Sequence, residues 1–79
     1  MSDLEIKFDF SKLKGKIKEV FNTQAIFANE MSMSESTLSN KLNNNVEFTS
    51  TEIINSCKLL EIPFDKINEY FFNIQVQKT

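Results

Sequence analysis

The residues most able to bind another molecule are short polar and acidic side chains between positions 34 and 43. Leu38 and Leu42 are four residues apart and predict the inner face of a helix. This register turns a set of hydrogen-bonding side chains outward: Glu35, Ser36, Ser39 and Asn40. Such groups bind bases, phosphates or partner proteins, but an ordinary solvated helix face explains the same residue types equally well.

The composition gives no support for catalytic chemistry. The chain has no histidine, one glycine and a single cysteine, Cys57. No nucleophile has an evident general base, and there is neither a glycine-rich phosphate loop nor the Cys/His spacing of a zinc site. Cys57 is predicted to be a small core residue. We therefore expect a protein that is not an enzyme and that holds no cofactor and no metal.

Length and composition predict one folded domain over residues 1–79. The 79 residues are 41% hydrophobic and 25% charged, which is the balance of a compact domain with one small core. No apolar run approaches the roughly 20 residues that span a bilayer, and the first residues lack the basic flank and apolar stretch of a secretion signal. We expect a cytoplasmic protein without membrane contact.

The charge balance argues against strong DNA binding. The net charge is −2, and all 9 basic residues are lysines. Arginine reads guanine edges and phosphates bidentately, and a domain that grips a duplex normally has a basic excess. Four lysines fall in the first predicted helix: Lys12, Lys14, Lys16 and Lys18. Their spacing scatters them around that helix, which favours a solvated face over an electrostatic footprint for DNA.

Capping residues and apolar spacing predict three helices in the first half of the chain. The third is stopped by the run Asn43-Asn44-Asn45, because asparagine tolerates the left-handed conformation that a helix end requires. The predicted helices, each given from its capping residue, are Ser11 to near Asn22, Thr23 to Met31, and Ser34 to about Asn43.

Two further helices are predicted in the second half, so we expect an all-α fold, a compact five-helix bundle. Thr49 and Glu52 have the spacing of a capping box that begins helix four, which Pro63 closes. Asp65 is expected to cap helix five. The apolar side of that last helix is formed by Ile67, Tyr70 and Phe71.

The two ends of the chain are expected to lie outside the helices. Residues 1–9 alternate apolar and polar side chains, which predicts a short extended arm against the body, and residues 73–79 form a tail. Phe71 and Phe72 must face different directions on a helix. One of the pair is therefore expected to pack on the arm, on a second copy of the chain or on a partner protein.

Helices two and three are joined by so short a turn that they must cross at a steep angle. A small residue is needed where the two backbones meet, and Ala28 supplies it. The apolar residues predicted to hold the pair together are Met33, Leu38 and Leu42.

These residues carry a resemblance to known regulators. Thr-Gln-Ala-Ile-Phe-Ala, followed by Met-Ser-Met-Ser-Glu-Ser-Thr-Leu-Ser, resembles the helix-turn-helix of Cro and phage repressor proteins over residues 11 to about 62. A longer frame is similar to a family of small Gram-positive phage proteins that includes modulator-of-repression antirepressors. This frame consists of Phe-Asp-Phe-Ser-Lys-Leu-Lys-Gly at residues 8–15 and Glu-Tyr-Phe-Phe at residues 69–72.

The resemblance implies roles for individual residues. Gln24, which opens helix two, would bind a DNA phosphate, and helix three would be the recognition helix in the major groove. Two positions depart from the helix-turn-helix pattern: Ser32 stands where glycine is usual, and Lys41 where an apolar residue is common, its packing role passing to Leu42. The full predicted set for binding a partner or DNA is Gln24, Glu30, Ser34, Glu35, Ser36, Ser39, Asn40 and Asn43.

Two functions remain open. The first is a phage antirepressor that binds a partner repressor's DNA-binding domain, with its acidic face competing for the positive surface that the operator would occupy. The second is a Cro-like repressor that binds operator DNA, with a homodimer formed through the C-terminal part. The net charge of −2 and the missing arginine favour the antirepressor. The resemblance to modulator-of-repression proteins favours it too and implies a role in the lysis-lysogeny switch of a bacterial host cell, while operator DNA could be contacted alone or together with the repressor.

Overall fold

The computed structural model describes residues 6–75, so residues 1–5 of the predicted arm and 76–79 of the predicted tail lie outside the described part of the chain. The described residues form five α-helices, which confirms the all-helical prediction, and a 3-10 turn over Phe64–Lys66 precedes the last of them. The helices are α1 (Ser11–Phe21), α2 (Gln24–Glu30), α3 (Glu35–Leu42), α4 (Ser50–Leu60) and α5 (Ile67–Phe71). None of them is long and apolar enough to cross a membrane.

Three predicted caps begin helices in the structure. The hydroxyl oxygens of Thr23 and Ser34 accept hydrogen bonds from the backbone amides three residues later, at 3.1 and 3.0 Å. The Thr49 hydroxyl accepts from the Glu52 amide at 3.1 Å, and Glu52 Oε1 accepts from the Thr49 amide at 2.9 Å. This reciprocal pair confirms the predicted capping box, in which each side chain satisfies an amide that the helix leaves free.

Two other predicted caps are wrong. Ser11 does not cap α1 but begins it, because the Asp9 carboxylate accepts hydrogen bonds from both the Ser11 amide and the Ser11 hydroxyl, at 2.9 and 2.6 Å. These bonds to the ionised form hold the pKa of Asp9 below its ordinary value. Asp65 lies inside the 3-10 turn, in which the Lys66 amide donates to the Pro63 carbonyl at 2.9 Å, and α5 begins without a side-chain cap.

Left-handed backbone conformations fall where helices end. Asn44 has a φ of 67° just after α3, which agrees with the asparagine run stopping that helix. Ser32 has a φ of 60° in the turn between α2 and α3. Glycine adopts this conformation without strain, which explains why helix-turn-helix motifs usually have glycine at this position. Glu61, with a φ of 58°, ends α4 two residues before Pro63.

The core lies among all five helices. Ala28, Leu38 and Leu42 are buried, and Met33 is half-buried against them. Phe71 is also buried, whereas Phe72 is half-exposed and packs edge-on against Phe8 of the arm, with ring centroids 5.8 Å apart. Phe72 therefore packs on the arm, which is one of the three surfaces expected for it beside a second copy of the chain and a partner protein.

Lys41 is a buried cation on the inner face of α3. Its side chain is 6% exposed, and its ammonium lies 3.1 Å from Glu52 Oε1 and donates a hydrogen bond to the Glu47 carbonyl at 3.1 Å. The same ammonium lies 6.0 Å from the centroid of the Phe48 ring. The expectation that Leu42 would replace Lys41 in packing is therefore incomplete: both side chains are buried. Lys41 remains inside because Glu52 compensates its charge.

Glu52 thus has two functions, since the carboxylate that caps α4 also pairs with Lys41. Burial raises its pKa, but the hydrogen bonds from the Thr49 amide and the Lys41 ammonium outweigh this effect, so the pKa lies below the ordinary value of 4.5. A carboxyl whose pKa is lowered by folding stabilises the fold above its ordinary pKa and loses that contribution as the pH falls through the lowered value.

We predict that Leu38→Asp unfolds the protein or costs several kcal/mol, because it places a carboxylate without a partner in the centre of the core. Ser36→Asp on the exposed side of the same helix is the control and should leave stability nearly unchanged. Thermal and urea denaturation followed by circular dichroism measures both. Similar melting of Leu38→Asp and the unsubstituted protein would contradict the register of α3.

We predict that Glu52→Gln lowers the free energy of unfolding near pH 7 by about 3 kcal/mol, because the amide still accepts the Thr49 hydrogen bond but leaves the Lys41 charge buried without compensation. As the pH falls below the ordinary carboxyl pKa of 4.5, Glu52→Gln should also lose less stability than the unsubstituted protein, since the lowered carboxyl pKa is gone.

Glu47→Gln is the control for this prediction, because only the backbone carbonyl of Glu47 bonds to Lys41. The free energy of unfolding, measured by urea denaturation from near pH 7 to below pH 4.5, should change with pH in the same way for Glu47→Gln and the unsubstituted protein. Equal free energies of unfolding for Glu52→Gln and the unsubstituted protein at every pH would show that the ion pair contributes nothing.

Candidate partner-binding surface

The candidate surface is built on residues 24–42, here called the α2–α3 unit. α2 ends at Glu30 and α3 begins at Glu35, and the turn between them is held by the amides of Ser32 and Met33, which donate to the carbonyls of Asn29 and Ala28 at 3.0 Å each. Ala28 is almost completely buried beside this turn. A small side chain there allows the two helix backbones to approach closely. The packing of α3 against α2 therefore fixes the direction in which its outer side faces.

The structure places the predicted binding residues in two groups. Gln24, at the start of α2, and Ser39, in the middle of α3, are half-buried. The remaining predicted residues are exposed: Glu30, Ser34, Glu35, Ser36, Asn40 and Asn43. The exposed set lies at the end of α2, in the turn, along the outer side of α3 and just after it.

Several of these side chains are already hydrogen-bonded within the chain. The Ser34 hydroxyl caps α3 and also donates to the Thr37 hydroxyl at 2.8 Å. Longer bonds run from the Asn43 side-chain amide to the Ser39 hydroxyl, at 3.4 Å, and from the Asn45 side-chain amide to Asn40 Oδ1, at 3.3 Å. The capping serine is thus engaged in the fold, while Ser39 and Asn40 are held by weaker contacts that a partner can replace.

The charge that the α2–α3 unit exposes to the solvent differs from the charge that its sequence contains. Its three charged residues are Glu30, Glu35 and Lys41, and the structure describes all of residues 24–42. Both glutamates are exposed, whereas the lysine ammonium is buried against Glu52. The unit therefore presents two carboxylates and no exposed cation to the solvent.

Two of the four lysines of α1 are paired with carboxylates within the fold. Lys12 forms an ion pair with Glu69 of α5 and lies over the Tyr70 ring, 5.0 Å from its centroid, so it joins two helices. Lys16 lies 3.9 Å from Glu19 on the same helix. Lys14 and Lys18 are exposed, so α1 presents a mixed, solvated surface, in line with the interpretation favoured from the lysine spacing.

Reactive groups are scarce in the described part of the chain. Cys57 is buried in the core, and burial raises the pKa of its thiol, which keeps the sulfur protonated and unreactive near neutral pH. Residues 6–75 hold no group of three His, Cys, Asp or Glu side chains able to bind a metal ion. The chemistry that the surface offers is recognition through charge and hydrogen bonds.

Sequence reasoning missed the residue that decides the charge of this surface. Lys41 follows Leu38 by three positions and therefore shares its inward face, a sign that the lysine needed a buried partner. The spacing to Thr49 indicates only a capping function for Glu52, although the same carboxylate also pairs with Lys41. The asparagine run indicates only a helix end, and no sequence pattern predicts the side-chain contacts of Asn44 and Asn45.

Comparisons with known proteins agree with this architecture. The family described as "Protein of unknown function (DUF739)" matches residues 6–74. No curated protein matches the chain. Among solved structures, the solution structure of the modulator of repression of the temperate bacteriophage TP901-1 from Lactococcus lactis is 44% identical, with a TM-score of 0.75, and the alignment covers 84% of this chain and 89% of that one.

The match extends over the arm, the helices and the beginning of the tail, and the identity is well above the level at which only the fold is shared. The chain therefore belongs to the DUF739 family and is a homologue of a phage modulator of repression.

Proposed function

We propose that this chain is a phage regulator of the lysis-lysogeny switch that acts as an antirepressor in the bacterial host cell. Its α2–α3 unit binds the DNA-binding domain of a partner repressor and competes with the operator for it. The homology to a modulator of repression supports the regulatory role. The choice of a protein partner rests on the charge of the surface.

The observation that carries this proposal is the burial of Lys41. Because its ammonium is compensated by Glu52 inside the fold, Glu30 and Glu35 are the charges that the α2–α3 unit shows to a partner. A repressor presents a positive surface to DNA phosphates. An acidic surface on a helix pair attracts that surface, and the complex excludes the operator sterically and electrostatically.

The same charges oppose direct DNA binding. Affinity for duplex DNA comes mainly from cations that reach the phosphates and release counterions, and the α2–α3 unit offers none to the solvent. The net charge of −2 adds a general repulsion from the polyanion. We therefore expect the isolated protein to bind duplex DNA weakly at physiological salt.

A Cro-like function is the second candidate. It is favoured by the exposed hydrogen-bonding groups of Ser36 and Asn40 on α3 and by the position of Gln24 at the start of α2. A homodimer would double its contacts with DNA. Without an exposed cation in the α2–α3 unit, however, these side chains would have to bind bases with little help from the phosphate backbone.

We predict that Glu35→Lys weakens the complex with the purified DNA-binding domain of the cognate repressor by about tenfold or more, because an attractive contact to a basic surface becomes repulsive. Glu35→Gln, which only removes the charge, should give an intermediate loss. Both losses should shrink as salt is raised and should appear partly in the association rate. Isothermal titration calorimetry and stopped-flow fluorescence measure the two quantities.

Glu19→Lys is the matched control, since it makes the same charge change on the exposed surface of α1 and should leave repressor affinity nearly unchanged. Duplex operator DNA is titrated with the same variants over a salt series. Tight, steeply salt-dependent DNA binding by the unsubstituted protein alone would contradict the antirepressor function and support the Cro-like one. Equal repressor affinity for Glu35→Lys and Glu19→Lys would place the contact outside the α2–α3 unit.

A further inference from the structure

The two ends of the described chain meet in a short antiparallel pairing, here called the terminal ribbon, formed by residues 7–9 and 73–75. Phe8 and Ile74 form the bridge. The Asp9 amide donates to the Asn73 carbonyl at 2.7 Å, and the Gln75 amide donates to the Lys7 carbonyl at 2.8 Å. Both of these bonds lie between the two segments, so the Phe8 amide and carbonyl point away from the tail.

Asn44 binds this outer side of the arm. Its Oδ1 accepts a hydrogen bond from the Phe8 amide at 2.8 Å, and its side-chain amide donates to the Phe8 carbonyl at 3.0 Å. One side chain thereby occupies the place of a neighbouring strand. We call this pair of bonds the Asn44 clasp. Because Asn44 lies just after α3, the clasp joins the terminal ribbon to the end of that helix.

Phe8 of the terminal ribbon forms one wall of a cavity of about 140 Å³, here called the aromatic cleft. The ring centroids that surround it are close together: Phe8 to Phe10 is 6.1 Å, Phe10 to Phe48 is 5.5 Å, and Phe48 to Phe71 is 5.3 Å. Lys41 also lines this space. Phe8 of the terminal ribbon thus packs over part of the space that the aromatic rings and Lys41 line.

The terminal ribbon is weakly anchored compared with the helices. Ile6, Phe72 and Ile74 are 63%, 46% and 59% exposed, so the ends of the chain bury little apolar area apart from Phe8. Among described residues, its backbone is held by the two bonds between its segments and the two bonds of the clasp. Segments with few buried contacts open locally at a lower free-energy cost than the core.

We propose that the terminal ribbon is a strap that opens as a unit while the helices remain folded, and that the Asn44 clasp sets the fraction of molecules in which it is closed. Opening exposes the aromatic cleft and Lys41 beside the end of α3. The chain thereby has a second conformation, with an apolar surface that the closed form hides. This inference does not depend on the partner proposed above.

The test is Asn44→Gly compared with Asn22→Gly, measured by native-state hydrogen exchange with NMR detection. Both asparagines have a left-handed backbone, with φ of 67° and 74°, and glycine adopts that conformation without strain. The Asn22 side chain makes no hydrogen bond to a described residue. The first variant therefore removes the clasp, and the second reports the effect of the substitution itself.

In Asn44→Gly, the amides of Phe8, Asp9 and Gln75 should exchange about tenfold faster, because the closed state has lost two hydrogen bonds. The Leu38 amide, in the core helix, should exchange within about twofold of its rate in Asn22→Gly. Asn44→Asp, which retains the acceptor for the Phe8 amide but not the donor, should lie between the two. Unchanged exchange at Asp9 and Gln75 in Asn44→Gly would overturn the proposal, as would an equal acceleration at Leu38.

A second measurement on the unsubstituted protein covers the case in which Asn44→Gly fails to fold. Exchange of the Asp9 and Gln75 amides should be nearly independent of low urea concentrations, since local opening exposes little surface, whereas exchange at Leu38 should accelerate steeply. The same steep dependence at all three amides would show that the terminal ribbon opens only when the whole protein unfolds, and the strap would be excluded.

Discussion

The buried charge of Lys41 is the constraint on which the arrangement of the second half of the molecule depends. An ammonium inside a small core is costly unless a counter-charge and hydrogen-bond acceptors surround it. Glu52 supplies the charge from the first turn of α4, and the Glu47 carbonyl supplies an acceptor from the preceding loop. Because Glu52 also caps α4, the start of that helix and the inner side of α3 cannot move independently.

This internal use of a cation shapes the surface as well as the core. α3 has one basic residue, and the fold turns it inward, so the outer side of the helix pair is left with the carboxylates of Glu30 and Glu35. A helix pair of similar geometry with an outward lysine or arginine would have the electrostatics of a DNA binder. The proposed preference for a protein partner over DNA thus rests on the inward position of one ammonium as well as on overall composition.

The asparagine run after α3 combines three separate contacts in consecutive residues. Asn43 bonds back to Ser39, Asn44 holds the arm, and Asn45 bonds to Asn40. Only asparagine among common residues both tolerates the left-handed backbone and carries an amide able to donate and accept at once. The end of α3 is therefore a junction between the proposed partner surface and the chain ends.

The sequence by itself determined the helices, the reciprocal cap of Thr49 and Glu52, and the inward register of Leu38, because these depend on spacing and on residues within one turn of each other. It was wrong about Ser11 because an acceptor two residues earlier competes for the same amide. Only the tertiary structure decided that Lys41 is buried. Its partner lies in another helix, and the balance between desolvation and ion pairing is set by the packing of elements distant in sequence.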